Sequence, residues 1–108
     1  MPETGNNVVD LHGTELADSR LSTDENGNKV LQLTAPVMDG KDEISALIFH
    51  RPRAADLAAM DETKGEVGKT IRAISRITNQ TVKTIERLDG YDLLQAGAVL
   101  ADFLQRPR

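Results

Sequence analysis

The period of the apolar positions changes along this chain. Val30-Leu31-Gln32-Leu33-Thr34-Ala35 alternates and places Leu31 and Leu33 on one face, which predicts a strand. Ile44-Ser45-Ala46-Leu47-Ile48-Phe49 is rich in strand-forming residues. Between them, Asp39-Gly40 is a strong hairpin signal, because both residues tolerate positive φ in a tight turn. Pro36 cannot donate a ladder hydrogen bond, so its strand is expected to lie at an edge or to end there. A hairpin alone is marginal in water and requires a helical layer to cover it.

From residue 52 onward the period is helical. Pro52 suits the first position of a helix over Arg53-Ala54-Ala55-Asp56-Leu57-Ala58-Ala59-Met60, with Asp56 near the positive end of its dipole. Thr63-Lys64-Gly65-Glu66 matches a capping box. It is expected to open a helix whose Val67, Ile71, Ile74 and Ile77 share a stripe, with Asn79 as the stop. Val82, Ile85 and Leu88 form a second, shorter stripe. Asp89 is placed to cap a last helix, with Asp92 as its first-turn acid and Leu93, Ala96, Leu100, Phe103 and Leu104 on one face up to Pro107. The predicted class is α+β: a small β-hairpin (30–50) packed on a three- to four-helix bundle (52–106), forming one domain over 30–108.

Residues 1–29 read differently. Six acids stand there against Arg20 and Lys29, and large apolar residues are scarce, so the segment is expected to be a flexible acidic tail. Residues 64–88 reverse the sign, with Lys64, Lys69, Arg72, Arg76, Lys83 and Arg87 against Glu66 and Glu86. Such a stretch either faces an acidic partner or forms the solvated side of helices. The whole chain of 108 residues carries a formal charge of −4, a length that suits a single domain. Aromatics make up only 3%, so the core must be built from aliphatic side chains. With no cysteine, a disulfide scaffold and a thiolate metal site are both excluded. No apolar run reaches membrane-spanning length, and Met1-Pro2-Glu3-Thr4-Gly5 lacks the features of a secretion signal, so a soluble intracellular protein is expected.

Catalytic and cofactor chemistry finds little support. Gly65-Glu66-Val67-Gly68-Lys69-Thr70 ends like a phosphate-binding loop, but two residues separate its glycines where four are needed to wrap a phosphate. It reads instead as a glycine-containing helix start. His12, Glu15 and Asp18 recur at intervals of three and would share one helical face as metal ligands, but they fall in the expected tail without a second histidine. His50 lies at a strand end, and no serine sits in a nucleophile elbow. No enzyme activity, metal or cofactor is expected. The alternative is a small DNA-binding helix-turn-helix over residues 70–88, with Ser75 in its first helix, Asn79 at the turn and Ile85 and Leu88 in its second. Thr78 and Gln80 stand where that motif buries apolar residues, and the rest of the chain is acidic, so nucleic acid is the less favoured partner.

Order and spacing carry a family resemblance. Leu33-Thr34-Ala35-Pro36, Asp39-Gly40 and Leu47-Ile48-Phe49-His50-Arg51-Pro52-Arg53-Ala54-Ala55-Asp56-Leu57 resemble the tail assembly chaperones of contractile-tailed, Mu-like phages and prophages. Ile74-Ser75-Arg76-Ile77-Thr78-Asn79 and Ile85-Glu86-Arg87-Leu88-Asp89-Gly90-Tyr91-Asp92-Leu93 are similar to the family's closing helices. His50 departs from the pattern, since many members carry a second arginine there. On this resemblance Pro36, Gly40, Arg51, Pro52, Asp56, Leu57, Asp89 and Asp92 are scaffold positions. The resemblance implies a non-enzymatic factor in the cytoplasm of the bacterial host. It would bind the tape-measure protein, keep it soluble while the tail tube assembles, and be absent from the finished tail. Contact with the tail tube protein through a frameshifted extension and self-association are further implied options. A helix-binding chaperone needs apolar surface beyond its own core. Leu57, Met60, Leu100, Phe103 and Leu104, on the first and last helices, are the candidate partner contacts.

Overall fold

A computed structural model of the protein describes residues 20–105. It contains strands β1 (Leu21–Thr23), β2 (Lys29–Asp39) and β3 (Asp42–Phe49). Helix α1 (Ala54–Ala58), a 3-10 turn (Ala59–Glu62), α2 (Glu66–Thr78), α3 (Val82–Glu86) and α4 (Gly90–Gln105) follow. The class is α+β, as the sequence predicts. His12, Glu15 and Asp18, with residues 1–19 of the expected tail, and Pro107 lie outside the described residues.

The sheet is antiparallel in the order β1-β2-β3, so it has one strand more than the predicted hairpin. Part of the segment read as a tail supplies that strand, with Leu21 opposite Leu31 and Thr23 opposite Lys29. The Asp24 side chain builds the turn between them: Oδ1 accepts the Asn26 and Asn28 N–H groups, each at 2.9 Å, and Gly27 takes φ 85°. These hydrogen bonds hold the Asp24 carboxyl below its usual pKa, against the opposing effect of desolvation. Leu21 then packs partly buried against the core.

Alternation in β2 and β3 works as read. Leu31, Leu33, Val37, Leu47 and Phe49 are buried on the helix-facing side, and Gln32, Met38 and Ile48 are exposed on the other. Asp39 pairs with Asp42, so the turn residues are Gly40 and Lys41 rather than Asp39 and Gly40. Only Gly40 has positive φ, 67°, which matches a turn with glycine first. β2 is a central strand, yet it carries Pro36. The register explains how: pairing with β3 breaks after Gln32 and resumes at Val37, so no ladder bond is asked of Pro36.

Helix boundaries differ from expectation at two starts. Arg53 caps α1, leaving Pro52 outside it, while Asp56 reaches back to accept the Arg53 N–H at 2.9 Å. α2 begins after Gly65 (φ 83°), not at a Thr63 capping box. Thr63 instead folds over Gly68, where an added Cβ would lie 2.8 Å from the Thr63 Cγ2 methyl. Val67, expected on the buried stripe, is exposed, whereas Ile74 and Ile77 are wholly buried. Asn79 ends α2 in the left-handed conformation, φ 59° and ψ 35°, as its position predicts. The α2 and α4 side chains Ala73, Ile74, Ile77, Ala96, Val99 and Leu100 meet the sheet's inner face to close one core.

Candidate functional site

Helix α4 is seated by polar as well as apolar contacts. Asp89 caps it, its Oδ1 accepting the Tyr91 N–H at 2.9 Å, and Asp92 occupies the first turn. Asp92 is also 1% exposed and reaches the interrupted stretch of β2. Its carboxylate accepts the Thr34 N–H at 2.9 Å, the Thr34 hydroxyl at 3.0 Å and the Ala35 N–H at 3.2 Å. The two N–H groups lie in the stretch between Gln32 and Val37 where the β2–β3 register is interrupted. One side chain therefore satisfies the bulge and fixes how α4 crosses the sheet.

Seated this way, α4 turns Ala96, Val99 and Leu100 into the core, with Leu93 and Phe103 packed partly buried beside them. Its opposite side is also apolar. Tyr91 is 43% exposed, Leu94 38% and Leu104 47%, with Ala101 exposed and Ala98 half-buried between them. Only Asp92 and Asp102 bring charge to these sixteen residues. A helix apolar all round is ordinarily covered on every side, yet the outer side of α4 faces solvent.

The expected contact residues separate on this frame. Leu104 lies at the edge of the outer face, and Leu57 of α1 is 38% exposed. Leu100, expected as a contact residue, is 5% exposed and packs in the core cluster. Met60 and Phe103 are partly buried against the same core. α1 packs on the following 3-10 turn and on α2, and α4 on β2 and α2. Tyr91, Leu94, Ala98 and Ala101 were not among the candidates. Their signal was present, because α4 lacks a polar stripe.

A second feature is a cleft of about 950 Å³ between the end of β3, α1 and the last turns of α2, lined by Arg51, Arg53, Arg72 and Arg76 among others. His50 closes one end, its N–H donating to the Ile77 carbonyl at 3.1 Å. Asp56 is the single carboxylate of the lining, 6% exposed and 3.2 Å from Arg76 Nε. Burial pushes its pKa up, but the Arg53 N–H and the Arg76 guanidinium outweigh that and hold it below the ordinary carboxylate value. Arg72 Nη2 pairs with Glu62 at 2.7 Å. Among the described residues no group of acidic and histidine side chains is arranged to hold a metal.

Residues 30–105 match a family model described as phage tail assembly chaperone proteins, E, or 41 or 14. The chain belongs to the phage tail assembly chaperone family. No curated protein and no solved structure matches it. In the chaperone, the family match takes in β2 through α4, including the Asp92 latch and the cleft, and leaves out β1. The scaffold positions taken from the resemblance have physical roles. Pro36 sits in the bulge, Gly40 opens the turn, and Asp56 and Asp89 cap helices. Arg51 and Pro52 shape the cleft wall. No helix of the chaperone's described residues is long and apolar enough to cross a membrane.

Proposed function

We propose that this tail assembly chaperone binds the tape-measure protein through the outer face of α4 and keeps it soluble in the host cytoplasm until the tail tube forms around it. The observation that carries the reading is a seated helix that exposes Tyr91, Leu94 and Leu104 on its solvent side while Ala96, Val99 and Leu100 fill the core. A long helical ruler would lay an apolar stripe on Tyr91, Leu94, Ala98, Ala101 and Leu104, with the small residues in the middle allowing close approach. Each large side chain covered there would contribute on the order of 1 kcal/mol, enough for a complex that tube subunits can displace. The role is non-enzymatic, and the chaperone leaves before the tail is complete. Contact with tail tube protein through a frameshifted extension belongs to the same proposal.

The helix-turn-helix alternative gains nothing from the geometry. α3 has five residues, with Thr84 and Ile85 buried, and Arg87 donates to the Met38 carbonyl at 3.1 Å. Co-expression with the tape-measure protein tests the proposal. Wild type is expected to raise the soluble yield of the ruler, and Leu94→Asp with Leu104→Asp to abolish that gain while the chaperone stays folded by circular dichroism. Undiminished yield with the folded double variant would refute the α4 surface.

A further inference from the structure

The arginine cleft differs in chemistry from the α4 face and needs its own occupant. We propose that it receives the carboxylate side chains of an acidic segment of a partner polypeptide. The charge balance points that way: four guanidiniums line the cleft against Glu62, which pairs with Arg72 from outside the lining, and one lining carboxylate, in a chain whose net charge is −4. That carboxylate is already engaged, because Asp56 accepts from the Arg53 N–H and from Arg76 Nε. Arg51 and Arg53 have no ion pair among the described residues, whereas Arg72 is paired with Glu62 and Arg76 with Asp56. Guanidiniums held in one concavity suit carboxylates, which they bind bidentately.

The walls are set before any partner arrives. The final carbonyls of α2 would repel an anion if left open, but the N–H groups of His50, Asn79 and Gln80 donate to Ile77, Arg76 and Ser75. The cleft therefore presents cations rather than bare carbonyls. A short acidic stretch fits better than nucleic acid. Asp61 and Glu62 are exposed on the turn after α1, and a duplex with a charge about every 1.7 Å would be driven onto them.

Amide chemical shifts of the full chain, titrated at low salt, test this. The probes are a short Glu-rich peptide, its Gln-for-Glu counterpart and a short DNA duplex. The Glu peptide is expected to shift Arg51, Arg53, Ser75, Asn79 and Gln80, and to lose affinity steeply as salt rises. Arg51→Glu with Arg53→Glu, both at exposed positions, is expected to weaken it about tenfold or more. Lys41→Glu, at the far end of β3, should leave it within about twofold. Equal binding of the Gln peptide, stronger binding of DNA, equal weakening by Lys41→Glu, or no shift in the cleft would each overturn the assignment. Loss of ruler binding on α4 would leave this result untouched, and the reverse is also true.

Discussion

Replacing Asp92 probes the joint on which the α4 surface depends. Its carboxylate accepts from two backbone N–H groups and one hydroxyl, all within 3.2 Å, on a strand 57 and 58 residues away in sequence. Asp92→Ala removes the acceptor for all three. Hydrogen bonds to charged groups contribute about 1.5–3 kcal/mol each, and a buried donor left alone costs about 1–3 kcal/mol. Thr34 and Ala35 are themselves exposed, so water can reach their donors after truncation and the low end of each range applies. At about 1.5 kcal/mol for each of the three bonds the expected loss is about 4.5 kcal/mol, a large share of the ~5–15 kcal/mol that holds a small domain together. Far-UV circular dichroism in urea is the assay, since the chain has no Trp and a single Tyr for fluorescence. With a slope of about 1–3 kcal/mol/M the midpoint should fall by roughly 1 M or more. Asp92→Asn keeps one oxygen but turns an amide toward donors, so about half the loss should remain. Asp92→Glu separates the latch from a simple dipole effect. It keeps first-turn charge, worth about 0.3–1 kcal/mol, but its longer arm misplaces the oxygens. A loss below about 1 kcal/mol for Asp92→Ala at unchanged slope, or a silent Asp92→Glu, would refute the argument.

Two further measurements address the helices. Because the Asp56 carboxyl titrates lower in the folded chain than in the unfolded one, its contribution is complete above the ordinary carboxylate pKa of about 3.9 and lost as pH falls through the folded value. Urea midpoints at stepwise lower pH should drop less for Asp56→Asn than for wild type, and parallel curves would contradict the assignment. Gly68→Ala should fail to deliver the helix-propensity gain of about 1 kcal/mol, since its Cβ meets the Thr63 methyl. The gain should return in a Thr63→Ser background, and a gain in wild type would mean that Thr63 yields freely.

Much of this molecule is written locally. The alternation of Leu31 with Leu33, the three-residue steps from Ile71 to Ile77, the stop at Asn79 and the caps at Asp56 and Asp89 depend on neighbours within a turn or a pleat. The sequence therefore determined the α+β class, the element order from β2 onward and most of the core, and its motifs led to the family that the match at residues 30–105 shows. The misplaced helix starts at Pro52 and Thr63 are also local, cases in which two plausible caps lie within three residues of each other.

Tertiary structure decided what faces outward. Leu100 and Leu104 stand one turn apart on the same predicted stripe, yet one is core and the other surface, because the sheet and α2 cover only part of the helix's circumference. The acidic stretch at 21–29 became strand and turn because Leu31 offered Leu21 a partner and the core offered it cover. Asp92 reads in sequence as a helix-start acid, and only the broken β2 ladder makes it a latch. The four arginines of the cleft come from two charge segments that look unrelated until β3 delivers its end to the last turn of α2. Burial and convergence depend on which distant surfaces meet and how far they extend, a quantity that no window of neighbouring residues contains.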